Sequence, residues 1–158
     1  CHLIISNKLQ NAQIQIPSPI EELESIDLYI ELKKDTKNSL LLVNSSPYIT
    51  SDIKIVARMH SMNSNIDLDN EEVVSSIESY SENYLEKNIS SYLYKTSKNL
   101  HADIDGFGLY ALKYFNYNSD WEDYNWLHHY QDAFFKVNVD VELNSSYLLV
   151  NTSKEKES

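Results

Sequence analysis

The sequence predicts an α+β domain: a mainly antiparallel sheet, made of N-terminal strands plus one C-terminal strand, with one long and two shorter helices packed on one face. Three patterns predict it. Apolar residues alternate with polar ones early in the chain, at Ile26, Leu28, Ile30 and Leu32. A stretch from Val73 to Leu100, free of proline and glycine, keeps close to the helical repeat. Near the end, Val137, Val139 and Val141 alternate with Lys136, Asn138, Asp140 and Glu142. A chain of 158 residues, 42% hydrophobic and 23% charged, is the size of one globular domain with a core of its own.

Taken in order, residues 1–20 read as a linker or the tail of a preceding region. "HLIIS" after Cys1 has the look of a strand end, and Pro17 and Pro19 enforce extended backbone while withholding N–H donors. The domain proper is expected over 21–150. "IDLYIELKK" is a half-buried strand, with Asp27, Tyr29, Glu31 and Lys33 on the polar side. "SLLLV" (Ser39 to Val43) and "DIKIVARM" (Asp52 to Met59) are further strands, joined by the turn chemistry of "NSSP", and strand character extends to Met62.

Asp69 is the expected cap of the long helix, with Glu72 three positions on in a relative of the capping box. Val73, Ile77, Tyr80, Tyr84, Ile89, Leu93 and Leu100 form its apolar face. Glu78, Glu82, Glu86, Lys87 and Lys95 read as a solvated stripe. "LYALKYF" predicts a short helix capped by Asp105, and "SDWEDYNWLHHYQDAF" another, with Ser119 and Glu122 as a capping box. Phe135, Val137, Val139, Val141 and Leu143 face one side of the closing strand, and the polar tail 151–158 reads as frayed.

Both of the chain's 2 glycines, Gly106 and Gly108, fall in "DIDGFG", where the long helix must stop and another begin. Glycine serves where backbone takes positive φ or where another group comes too close for a Cβ. The expected arrangement is a tight corner. Asp103 or Asp105 accepts backbone N–H bonds, Phe107 plugs the core, and the glycines permit close packing. An anion nest is disfavoured, because the adjoining aspartates repel anions.

A formal net charge of -11 repels phosphate backbones and anionic headgroups, so nucleic acid is not an expected partner. No apolar run approaches the roughly 20 residues of a membrane helix. With its 1 cysteine at Cys1, the chain forms no internal disulfide. That residue is the one candidate for lipidation, since mature bacterial lipoproteins begin with cysteine, the plainer alternative being that Cys1 only marks where a fragment was cut. No metal, cofactor or catalytic residue is expected. His128 and His129 diverge on a helix, no HExxH or CxxC spacing occurs, and "DLDNEE" lacks the glycine and spacing of a calcium loop. Asp120, Glu122 and Asp123 complement a helix N-terminus and have no partner pocket in the pattern, and G-x-S-x-G is absent. The N-x-S/T matches at Asn44, Asn88, Asn144 and Asn151 reflect a chain rich in Asn and Ser. Its 12 tyrosines and 2 tryptophans offer contact area suited to interfaces.

The order of these features resembles the C-terminal domain of the Ger(x)C, or GerAC-like, spore germination lipoproteins. Asp103 is followed three residues on by Gly106, Phe107 and Gly108. Tryptophan follows in the next helix, at Trp126 with Trp121 nearby, and the chain then enters the strand of Val137, Val139 and Val141. The resemblance is strongest over about residues 70 to 143. It departs where the strand runs into "NSSYLLVN" rather than a basic, glycine-containing end. It implies a non-enzymatic C subunit of a spore germinant receptor, working beside membrane-embedded A and B subunits. A lipid on the complete protein would hold it at the outer face of the inner spore membrane, ahead of two further domains. The alternative is a lipid-anchored or soluble ligand-binding domain of another extracytoplasmic system on a similar scaffold.

Overall fold

The structure, a computed structural model, describes residues 1–20, 24–59 and 66–144. Four strands lie side by side in chain order: β1 (Ala12–Pro17), β2 (Ser25–Val43), β3 (Ser46–Met59) and β4 (Phe134–Leu143). β1–β2 and β2–β3 are antiparallel, whereas β4 returns parallel to β3. The helices are α1 (His2–Ile5), α2 (Glu71–Tyr94), α3 (Gly108–Ala111), α4 (Asn118–Tyr124) and α5 (Trp126–Tyr130). The expected α+β class and mainly antiparallel sheet are what the chain adopts.

The alternation read in the sequence sets the faces. Ile26, Leu28, Ile30, Leu40, Ile49, Ile53 and Ile55 are buried, in one cluster with Val137, Val139, Val141 and Leu143 and with the helix residues Ile77, Leu85, Ile89 and Leu93. On the outer face, Lys54 pairs with Asp140, Lys33 with Glu142, and Arg58 with Glu31.

Several expectations are corrected. The segment 1–20 is part of the fold: β1 pairs with β2 from Ala12↔Ile30 to Pro17↔Ser25, and "HLII" is a helix with Ile4 and Ile5 buried. The expected strands at 26–34 and 39–43 are one strand. Register shifts between Leu32 and Lys34, and between Lys34 and Lys37, absorb the polar "KKDTK" without ending the ladder. The "NSSP" turn forms as expected, because Asn44 and Ser45 take φ of 50° and 66°, the paired positive values a tight hairpin needs.

α2 begins one residue later than expected. Asn70, not Asp69, is its cap, with the side chain accepting from the Glu72 N–H at 3.0 Å. Tyr80 and Leu100, expected on its apolar face, are exposed, and Leu85 and Ser81 are buried there instead. After α2 the backbone widens into a π-helical turn, Lys95–Asn99. "LYALKYF" is helical only to Ala111 before tightening into a 3-10 turn, Leu112–Tyr114. The helix expected over Ser119 to Phe134 breaks at Asn125, whose φ of 52° is left-handed. The Ser119–Glu122 capping box does not form, since α4 starts two residues earlier than that cap requires, with Tyr117 at the cap position, and Ser119 Oγ faces Asp120 at 3.4 Å. The expected tail 151–158, the "NSSYLLVN" run beyond Asn144, Met62 and Asn151 lie outside the described residues.

The largest correction concerns the glutamates of α2. Glu78, Glu82 and Glu86 do not simply face water. Their Oε1 atoms accept from the backbone N–H groups of Leu143 (2.8 Å), Val141 (3.1 Å) and Val139 (2.9 Å). β4 is the last strand of the sheet, so these donors would otherwise face outward unpaired. The spacings match: four helix residues rise about 6.0 Å and two strand residues about 6.6 Å, so alternate carboxylates meet alternate amides along antiparallel elements.

Candidate functional site

The residues singled out by the sequence meet at the corner after the π-helical turn. Asp103 Oδ1 accepts from the Phe107 N–H at 2.9 Å, and its Oδ2 accepts from the Gly108 N–H at 2.6 Å and from the Trp126 indole Nε1–H at 2.9 Å. One carboxylate therefore caps the start of α3 and fixes α5 against it. Asp105, the expected cap, does neither.

The two glycines have different reasons. Gly106 takes φ of +76°, a conformation strained for any residue with a Cβ, though the nearest atom to such a Cβ is Leu109 Cδ1 at 3.8 Å. At Gly108, a Cβ would stand 2.9 Å from Trp126 Nε1 and 3.0 Å from Trp126 Cδ1, so absence of the side chain admits the indole. Phe107 is fully buried, with ring centroids 6.4 Å from Tyr130 and 6.3 Å from Phe135. Trp126 is buried and stacks on Trp121 at 6.1 Å. Val137, Val139 and Val141 lie in the same core. Cys1 is not at the corner: it is exposed, with Sγ 3.7 Å from the Asn88 carbonyl.

Beside the corner lies a polar group that the sequence pattern did not reveal. The Asp105 side chain is wholly buried and its Oδ1 lies 2.8 Å from His2 Nδ1, tying α1 to the corner. Its Oδ2 and the Tyr92 hydroxyl are buried near one another, and among the described residues neither meets a partner in good hydrogen-bond geometry. Burial raises the Asp105 carboxyl above its ordinary range, opposed by His2 and Tyr92. Burial, reinforced by the Asp105 charge, pushes the Tyr92 phenol up to about 12. Burial also raises Tyr130, whose hydroxyl meets Thr96 Oγ1 at 3.2 Å. The only signal that could have found this group is the position of His2 in a segment read as linker.

Asp103 has both oxygens engaged by donors of this chain, so it is a structural clamp rather than a general base. Among the described residues, no group of three or more His, Cys, Asp or Glu is placed to hold a metal. His129 stacks on Tyr124 at 4.1 Å, and His128 meets it edge-on. Asp120, Glu122 and Asp123 are exposed.

The surface suited to contact lies at the hairpin end of the sheet. Leu41, Tyr48 and Phe134 are cross-strand neighbours on the outer face, 62%, 41% and 52% exposed, and Tyr48 stacks on Phe134 at 4.9 Å. Val43 extends the row. Tyr114 and Tyr124 donate to the carbonyls of Leu40 and Ser45, each at 2.7 Å, which brings the exposed Leu112 and Tyr117 to the same end. An apolar row across three strands, rimmed by polar groups, is a surface expected to meet another protein.

Comparison with solved structures finds the crystal structure of the GerBC protein, with a TM-score of 0.68 at 14% identity over 89% of this chain. At that identity the likeness is one of fold, and this chain spans 43% of the length of that one. Comparison with curated proteins finds no match. Among the described residues, no helix is long and apolar enough to cross a membrane. Residues 2–147 match the family described as Spore germination B3/GerAC like, C-terminal. With the Asp103 clamp, its two glycines and Trp126 built as one corner, and a match over nearly its whole length, the chain belongs to that spore germination family.

Proposed function

We propose that the chain is a non-enzymatic subunit domain of a nutrient germinant receptor, and that it supports receptor assembly and signalling in spore germination through protein contacts. Its partners in this reading are the receptor's membrane-embedded A and B subunits. A lipid on the complete protein holds it at the outer face of the inner spore membrane. Family membership supports the setting. The observation that carries the contact role is the exposed row of Leu41, Tyr48 and Phe134. The reading of the DIDGFG corner as structural fits this division, because both oxygens of the Asp103 carboxylate are used internally.

The test is the double substitution Leu41→Asp and Phe134→Asp in the complete protein in spores. Both positions are exposed, so the domain should stay folded and lose little beyond the Tyr48–Phe134 ring pair, which urea unfolding of the variant checks. Loss of co-purifying A and B subunits, with a weakened response to nutrient germinants, is the expected result. Normal assembly and response would remove this face from the account.

A further inference from the structure

The solvent-facing side of α2 and of the π-helical turn behind it carries exposed Lys87, Lys95 and Lys98 in a chain of net charge -11. Two adjoining grooves, of about 410 and 520 Å³, run along it and share Lys87 and Ser91. Tyr80 and Tyr84 line the first, Tyr94, Lys95 and Lys98 the second, and asparagine, serine and Pro17 complete them. Among the described residues, no carboxylate lines either groove, in a chain with 24 acidic and 13 basic residues. Glu78, Glu82 and Glu86 are turned to β4, and among the described residues Lys87, Lys95 and Lys98 form no ion pair.

Two further features point to a binding face. The π-helical turn that carries Lys95 and Lys98 is a rare backbone form found often at functional sites. Lys98 Nζ stands 5.6 Å from the centroid of the Tyr94 ring, so cation and ring form one surface. The helix dipole favours cations at Lys95 and Lys98, but its influence fades within the last turn and does not account for Lys87.

We propose that this face, from Tyr80 to Asn99, docks an extended acidic segment of a partner protein. Lysines contact its carboxylates, and the tyrosine, asparagine and serine side chains contact its backbone. Charge complementarity selects an acidic partner. The shape selects a peptide over a membrane: two adjoining grooves along one helix face fit a strand of chain rather than a flat bilayer surface. This surface is distinct from the apolar row on the sheet, so its test stands apart from the germination reading.

The experiment titrates the full chain, at low salt, with an oligo-glutamate peptide, with inorganic phosphate and with phosphatidylglycerol vesicles, following backbone amide resonances. The expected result is a saturable shift confined to Tyr80–Asn99 with the peptide, weakened by added salt. It should be abolished in Lys87→Glu/Lys95→Glu/Lys98→Glu and reduced in the milder triple change to Gln, with unfolding curves matching the wild type. No peptide binding overturns the proposal, as does binding that survives the charge reversal. So do shifts that map instead to Lys34 and Lys37 on the sheet, competition by phosphate at equal concentration, or binding to vesicles alone.

Discussion

Asp103 holds three donors with two oxygens, and each of the two glycines nearby answers a separate demand. Those demands predict different mutant behaviour. Gly106→Ala should lose about 1–2 kcal/mol, the cost of forcing a Cβ into left-handed backbone, whatever stands at residue 126. Gly108→Ala should lose about 1–3 kcal/mol through collision with the indole, and trimming that indole by Trp126→Phe should recover part of the loss. Urea unfolding of the two single variants and of the Gly108→Ala/Trp126→Phe pair measures both. Asp105 predicts a pH effect. Its folded carboxyl titrates above the ordinary 3.8, so the folded state holds that proton more tightly than the unfolded chain. The stability this provides is complete below 3.8 and fades as pH rises through the folded value. Asp105→Asn should therefore be most harmful at the acid end and become less so towards neutrality, and a difference in unfolding free energy that stays flat with pH would contradict the assignment. The corner was legible in the sequence because glycine is so scarce here. Which aspartate caps it was not, since Asp103 and Asp105 differ by two residues and only the path of the backbone separates them.

At the scale of elements, α2 and β4 are joined by three carboxylate-to-amide bonds at matched spacing. Glu82→Ala leaves the Val141 N–H without its acceptor and should lose about 1–3 kcal/mol, while Glu82→Gln keeps a carbonyl oxygen and should lose less. Amide exchange at Val141 reads the same contact directly: protection should fall in the alanine variant and persist largely in the glutamine one. Helical periodicity displayed the glutamates as a stripe but could not say what they face. A carboxylate meets water or a strand edge according to tertiary pairing, which no local repeat encodes. The broken helix at Asn125 has a similar origin, because left-handed backbone at asparagine is permitted rather than required.

Across the whole molecule, the sequence carried the class of the fold and the order of its elements, through alternation in β2, β3 and β4 and the long repeat of α2. It did not carry the parallel pairing of β4 with β3, for alternation marks a buried face without direction. Nor did it place residues 1–20, where two prolines and many polar residues hide a strand that buries Ile16 and a helix held by His2 and Asp105. The Asp103 corner is an internal clamp that joins α3 and α5 to the core. The most direct test is a double-mutant cycle on unfolding free energy with Asp103→Asn and Trp126→Phe. The account predicts two destabilising single changes with a coupling of about 0.5–3 kcal/mol, and loss of germination only in proportion to lost stability. Additive effects would contradict the clamp, and a stable Asp103→Asn protein that failed the proposed role in germination would make the corner a recognition site instead.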